Sequence, residues 1–526
     1  MLPQKLITNV FNMPIQNTRF WIAGSARSAI SAAQLLHSAG AQIFLTDAQD
    51  ITAKSKQLLN DLKIPFEENG HSLHKLATNC DCLILSPAIL LNHPLAIEAR
   101  KLMLPVVSEI EVGAWFLDPK HKIVAITGTN GKSTTTHYLA QLFAREGFGN
   151  IPCGNYGIPF TQAIVQNKQT SWFALELSSY QLETTYTLRP HVSILLNLQS
   201  DHLQRYQTLE EYLKAKWRII LLTRDDGLCI IDRPVAAMAA KMGLAFPKAS
   251  LCLLDSENAD FSESLDFKFE KLGAVSLPVA SYGEMSQLSL EQFLAPLPCG
   301  RAQVRTAAKP GYEFQIRAAT NEFSGEIAEP CLPGAHNRTN CLAATAAAAF
   351  LGMDPQTLVS QWELKSSQYA HLAHRLETVL PKNTNFIDTQ GRQKTLHIIN
   401  DSKATNIEST KVALNSFSGQ VRLLLGGEPK GENFSLLCEP ILNSVTRVYA
   451  FGRAAKQILD DCESIAGLFA LSQNSLLQAA ALALEEADNG DIILLSPACA
   501  SFDEFKNFEH RGEIFKEWAL TCRVSD

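Results

Sequence analysis

The sequence predicts three successive α/β segments, each a mostly parallel sheet flanked by helices. Short apolar runs alternate with helix-length amphipathic runs along most of the 526 residues. Each apolar run ends in Gly, Asp, Ser or Asn, so polar groups collect beyond the carboxyl ends of the strands, where open parallel sheets hold ligands. The length also exceeds what one core accommodates. The expected divisions are 1–112, 113–371 and 372–526.

In the first segment, RFWIA (19–23) reads as a strand ending at Gly24, followed by helix-like text to His37 and a second strand, QIFLT, ending at Asp47. That is a βαβ unit with an acid at the tip of its second strand, a Rossmann-like domain. Further strands are expected in CDCLILSPAI (80–89) and around PVVSEIE (105–111). The second segment opens with KIVAITGTNGKSTT: an apolar strand, a glycine loop, Lys-Ser/Thr and a helix. It continues through strands near 171–177, 191–198 and 227–232, as a central P-loop ATPase-type mononucleotide-binding domain. From about 248 to 328 the pattern weakens toward antiparallel strands or surface loops, an insertion with no chemistry assigned. The third segment carries TLHIINDSK, QVRLLLGGE, TRVYAFGR and DIILLSPACAS, again Rossmann-like.

Bulk properties exclude several functions. The net charge of −7 argues against general nucleic-acid binding. No apolar run reaches the roughly 18 residues of a membrane span. The N-terminal text lacks the order of a signal peptide, so a cytoplasmic location is expected. The twelve cysteines show no CxxC pair and read as small buried hydrophobes in a reducing compartment.

In the loop, Gly128 and Gly131 let backbone N–H groups turn toward phosphate oxygens. Lys132 supplies charge for the β- and γ-phosphates, and the Ser133 or Thr134 hydroxyl can ligate Mg²⁺. The following helix presents its positive end to the anion. The general pattern would place a glycine at 126; here that residue is Ile126. Behind the loop come Glu176 at a strand end, Asp201-His202 after the next strand, and Lys216 in a helix-like run. Singly these are a solvated strand end, a structural histidine and a surface lysine; their order behind one phosphate loop gives them weight.

GTNGKST, ELSSYQLE, LNLQSDHLQRY with EEYLKAKWRI, LPGAHNRTN, HRLE, NDSKATN, LLLGGEPKGENF and SPACASFDEFKNFEHRG occur in this order. The series resembles the Mur ligase family, and its last motifs resemble the D-glutamate-adding branch. The likeness covers most of the chain, but not the insertion or the N-terminal extension. It implies an ATP-dependent ligase that activates a carboxylate as an acyl phosphate and couples it to an amine. The implied substrates are UDP-N-acetylmuramoyl-L-alanine and D-glutamate, for peptidoglycan precursors, in a cytoplasmic monomer.

Residue by residue, the resemblance assigns Gly128, Thr129, Asn130, Gly131, Lys132, Ser133, Thr134, Asn337, Asn340, Arg375 and Asp401 to ATP. Ser133 and Glu176 hold its Mg²⁺. His202 and Lys216, the latter carbamylated by CO₂, serve a second Mg²⁺ near the acyl phosphate. Lys403 lies near the transferring phosphate. Ser25, Asp47 and Asn155 contact the UDP-linked substrate. Ser178, Thr405, Lys430, Ser501, Phe502 and Phe508 surround the incoming amino acid. Phe502 stands where a smaller aliphatic residue is expected, and SPAI (86–89) has Ala where the family has Gly. Two alternatives stay open: an NAD-type reading of GSARSA with Asp47, and a ligase with another acceptor, L-glutamate or a folylpolyglutamate-type chain.

Overall fold

The computed structural model describes residues 15–148, 151–166, 172–199, 205–254, 299–306, 312–318, 321–327, 335–353, 373–387, 393–417, 420–431, 433–470 and 472–522. His202 and the stretch 255–298 lie outside them. The chain folds as two compact units, Met1–Pro330 with Asn337–Glu363, and Cys331–His336 with Leu364–Asp526.

The first unit holds two sheets. Strands β1 (Arg19–Ala23), β2 (Gln42–Thr46), β3 (Phe66–Glu67), β4 (Cys82–Leu85) and β5 (Val106–Val107) form the first. It is parallel throughout, in the order β3-β2-β1-β4-β5. The order reverses between β1 and β4, the switch point at which doubly wound sheets bind ligands. Helix Arg27–Ser38 buries Ala29, Ala32, Ala33 and Leu36, the spacing of one helical face. The strand expected around 105–111 is only Val106–Val107; Ser108 accepts from the Glu111 N–H and starts helix Glu109–Trp115 instead. A serine cap followed by two acids in the first turn favours that helix over a longer strand.

The second sheet comprises β6 (Lys122–Thr127), β7 (Pro152–Gly154), β8 (Trp172–Glu176), β9 (Val192–Leu195), β10 (Leu228–Asp232), β11 (Ser250–Leu254), β12 (Cys299–Thr306), β13 (Tyr312–Ala318) and β14 (Asn321–Ile327). Its order is β14-β13-β12-β11-β10-β9-β6-β8-β7. The described part of 248–328 thus lengthens this sheet: β11 and β12 continue it in parallel, and β13 and β14 close it antiparallel.

Buried acids join the two sheets' layers. The Glu111 carboxylate, fully buried, accepts from the Tyr186 N–H at 2.7 Å and from the Thr187 N–H and hydroxyl at 2.9 and 2.6 Å. Glu109 Oε1 accepts from the Thr161 N–H at 2.6 Å and its hydroxyl at 2.7 Å, and Thr161 meets Ser31 of helix Arg27–Ser38 at 2.7 Å. Residue 112, the expected boundary, lies inside the helix that carries both acids.

The second unit is a single sheet of β15 (Glu377–Ile387), β16 (Gln393–Asn400), β17 (Val421–Gly426), β18 (Val445–Phe451) and β19 (Ile492–Ala498), ordered β15-β16-β19-β17-β18. Among the described strands of this unit only the edge strand β15 runs antiparallel. Ile407, Leu414, Phe434 and Ile458 pack in one cluster of its core, and Leu476, Ala480, Phe515 and Ala519 in another. Among the described residues no helix is long and apolar enough to cross a membrane.

Glu109 supplies a test of the joint. Burial pushes its carboxyl up to about 7, against hydrogen bonds from Thr161 that pull it down, and Oε2 has no partner among the described residues. A raised folded pKa stabilises fully below the unfolded value near 4.5. That stability is lost as pH rises toward 7, on the order of 3 kcal/mol in all. Urea unfolding of the wild type at a series of pH values from 4.5 to 8 is expected to show this decline, and Glu109→Gln to flatten it. Parallel curves would place the slope elsewhere.

Candidate active site

Strand β6 lies between β8 and β9, so the loop that leaves its carboxyl end is flanked on both sides. On one side, the segment after β9 grips it. The Asn197 side-chain oxygen accepts from the Asn130 N–H at 2.8 Å, and its backbone carbonyl accepts from the Thr129 N–H at 3.0 Å. Asn130 Nδ2 donates to Gln199 at 2.7 Å. Helix Lys132–Arg145 begins directly after Gly131, with Ser133 and Thr134 buried in its first turn. Gly131 has φ +83°, and a Cβ there would run into the Asn340 side-chain amide. Asn340 and Asn337, at the start of helix Ala335–Phe350, are both buried and meet at 3.4 Å. The two asparagines are thereby brought against the phosphate loop.

On the other side stands Glu176, at the end of β8 and in register with Ile126. It is 1% exposed. Oε1 accepts from Asn155 Nδ2 at 2.7 Å, and the Asn155 N–H donates to the Glu176 carbonyl at 2.9 Å. Gly154, with φ +96°, lets the backbone pass so close that a Cβ would strike that carbonyl. Oε2 is buried with no partner among the described residues. An orphaned carboxylate oxygen beside a phosphate loop fits a cation. Mg²⁺ needs only one or two protein oxygens when phosphates and water supply the rest. No group of three or more His, Cys, Asp or Glu side chains gathers for a metal among the described residues.

Lysines complete this edge. Lys132 Nζ donates to the Gly128 and Thr129 carbonyls at 2.8 and 2.7 Å. Lys216 is not the solvated helix residue its composition allows. It is 1% exposed, lies 4.5 Å over the Tyr212 ring one turn earlier, and also donates to the Gly128 carbonyl at 2.8 Å. Ser178 caps the short helix Ser179–Leu182 in a reciprocal pair with Gln181, so its hydroxyl serves the local turn. In the first sheet, Ser25 donates to Asp47 at 2.6 Å, joining the two residues expected at the nucleotide-linked substrate.

In the second unit, Asp401 follows β16 and is buried, which pushes its carboxyl up to about 7. Donation from Ser496 at 2.9 Å and from the Leu376 N–H at 3.2 Å, with the Arg375 charge, opposes the rise. Lys403 Nζ lies 4.5 Å over the Phe508 ring, and Lys430 Nζ donates to the Thr405 carbonyl at 2.8 Å. Ser501 is 2% exposed, whereas Phe502 beside it is 72% exposed. Nothing in the sequence around Arg511 marks it for a role. Fully buried, it donates to the Ser402 hydroxyl and carbonyl and to the Cys499 and Ala500 carbonyls at 2.8–3.1 Å. It ties the loop after β16 to the loop after β19. Burial lowers its pKa to about 10.

A phosphate loop on a central parallel sheet, with a buried acid on the next strand and doubly wound sheets beside it in sequence, defines a mononucleotide-binding α/β protein. Residues 24–93 match the MurD N-terminal domain, 126–289 the Mur ligase middle domain, and 385–499 the Mur ligase glutamate ligase domain. The UDP-N-acetylmuramoylalanine–D-glutamate ligase of Acidobacterium capsulatum is 31% identical over 515 residues, spanning 97% of this chain and 98% of that one. The protein of that name from Chlorobaculum tepidum is 32% identical over 503 residues, 94% and 96% of the two chains. Among solved structures, the alanine ligase MurC of Thermotoga maritima has a TM-score of 0.53 at 15% identity, covering 96% of this chain and all of that one. MurF from Thermotoga maritima in complex with ADP gives 0.52 at 14% identity, over 97% and 99%. At such identities these structures speak to the fold. The chain belongs to the Mur ligase family.

The seating of Asn340 on Gly131 is directly testable. Gly131→Ala places a methyl against that amide and forces a left-handed conformation costing roughly 1–2 kcal/mol. Titration with a fluorescent ATP analogue is expected to show at least a tenfold loss of affinity. Affinity within twofold of wild type would mean that the loop accommodates the change.

Proposed function

We propose that this chain joins D-glutamate to UDP-N-acetylmuramoyl-L-alanine, converting ATP to ADP and phosphate, as a cytoplasmic monomer making peptidoglycan precursors. One observation carries the reading. Lys132, Lys216 and Glu176 converge on one phosphate loop in a chain whose relatives, alike over nearly their full length, are D-glutamate ligases. The substrate carboxylate attacks the γ-phosphorus, and ADP leaves. The amine of glutamate then attacks the acyl carbon, and the tetrahedral adduct collapses to the amide as phosphate departs.

Both reactants of the first step are anions, so neutralisation dominates the barrier. Lys132 exchanges its loop carbonyls for the β- and γ-phosphates. Ser133 and Glu176 would hold Mg²⁺, which shields the phosphate charge. Asn337 and Asn340 line the nucleotide side of the loop, and Arg375 and Asp401 of the second unit are further candidates for ATP. Lys403 serves the transferring phosphate. With His202, a carbamate on Lys216 would supply a second metal site with a carboxylate. Asn155 holds Glu176 and faces the muramoyl group. Ser25 and Asp47 take the uridine. Thr405, Lys430 and Ser501 of the second unit, with Phe502 and Phe508, take glutamate, whose two carboxylates suit a cation and hydroxyls, and Ser178 is a further candidate for the amino acid.

Phosphate release with ATP, Mg²⁺ and UDP-N-acetylmuramoyl-L-alanine tests the reading, with D-glutamate, L-glutamate or no amino acid. Release is expected only with D-glutamate, with a product heavier by one glutamyl residue. Dependence on L-glutamate alone would reassign the acceptor, and independence from both would sink the ligase reading. Lys216→Ala is expected to lose at least a hundredfold in kcat and to regain part of it with added acetate or formate. Absence of rescue at every concentration would count against the carbamate.

A further inference from the structure

A tight crevice of about 10 Å³ in the first unit is lined by Ser86, Ser108, Tyr180, Gln181, Thr184 and Arg205, with apolar residues between them. The Arg205 side chain is 9% exposed. Its guanidinium lies 4.1 Å over the Tyr180 ring. Nε donates to Glu183 Oε1 at 3.3 Å and Nη2 to Oε2, while the Tyr206 hydroxyl donates to Oε1 at 2.8 Å. These contacts fix the plane of the guanidinium and occupy one of its edges. Nη1 is buried and has no partner among the described residues. A buried charged donor left unmet is costly, and the arrangement makes sense with an acceptor supplied from outside.

The position of the pocket identifies that acceptor. Ser86 follows β4 at the switch point, where its Cβ lies 2.8 Å from where a side chain on Gly24 would begin. This is the edge on which Ser25 and Asp47 meet. Tyr180 and Gln181 belong to helix Ser179–Leu182, just after Glu176. The pocket therefore lies between the uridine edge and the phosphate-transfer edge. In the substrate proposed above, a diphosphate bridges the uridine to the sugar that bears the reacting carboxylate. A guanidinium with a fixed plane suits phosphate oxygens, and the acids Asp47 and Glu67 at this edge offer them no compensation.

We propose that Arg205 anchors the nucleotide-linked substrate, with Nη1 donating to a diphosphate oxygen while Glu183 and Tyr180 hold the guanidinium in place. This rests on the functional reading above. Two full-length variants test it: Arg205→Lys, which keeps the charge opposite Glu183, and Arg205→Met with Glu183→Gln, which removes both charges. The measurements are the Kd for UDP by calorimetry, the KM values for UDP-N-acetylmuramoyl-L-alanine, ATP and D-glutamate, and the thermal midpoint. Affinity for UDP is expected to fall roughly tenfold in both, with a matching rise in KM for the nucleotide-linked substrate. The other two KM values should stay within twofold, a split that a merely structural role would not produce. UDP affinity within twofold of wild type in either folded variant would overturn the proposal, as would equal rises in all three KM values. A wild type that binds no UDP and makes no amide would instead overturn the functional reading.

Discussion

Lys132 and Lys216 both donate to the carbonyl of Gly128, so two ammonium groups lie within one backbone oxygen of each other. Like charges that close, one of them almost fully buried, repel strongly in a low-dielectric setting. The fold nevertheless holds them there. Lys216 comes from helix Leu209–Leu222, packed on the sheet, and Lys132 from the first turn of helix Lys132–Arg145. The function proposed for this edge would use both: Lys132 for phosphate oxygens, and Lys216 for a carbamate of opposite charge. Much of the rest of the first unit can be understood as what keeps these two cations and the acid Glu176 around one loop.

Strand adjacency does most of that work. Placing β8 next to β6 brings Glu176 level with Ile126, two residues before the first loop glycine. Placing β9 on the other flank supplies Asn197 and Gln199, which hold the loop open through its backbone and Asn130. The second unit solves a similar problem differently. Its loops after β16 and β19 are joined by Arg511, which gives its donors to four acceptors in those loops and leaves the sheet to set only the spacing.

The sheets and the loop were legible because they rest on local rules: apolar runs of strand length, glycines at a turn, a lysine and hydroxyl opening a helix. The place of Arg511 was not, because it depends on partners far away in sequence. Ser402 is 109 residues from Arg511, and nothing in HRG distinguishes a buried arginine from a surface one. Lys216 sat in an ordinary amphipathic run; its burial follows from which helical face meets β6 and β9. The strand expected through 105–111 failed for a local reason, the serine cap that outweighs two valines. The insertion read as antiparallel does contain the hairpin β13–β14, but β11 and β12 are parallel, and pairing direction is a tertiary property that alternation cannot encode.

Phe502 bears on the choice of acceptor. Ser501 is buried and accepts from the Phe505 N–H at 2.8 Å through its carbonyl, so the backbone here is fixed by its own turn. The Phe502 ring, 72% exposed, contributes little to that turn or to the core beneath it. A single exposed aromatic is ordinary on a protein surface, so only its place beside Ser501 gives it interest for the acceptor. In the proposed reaction the hydroxyl of Ser501 and the cation of Lys430 would address the charges of an acidic amino acid, which either enantiomer carries. The Phe502 ring beside Ser501 would then bear on its shape, and shape is what separates one enantiomer from the other.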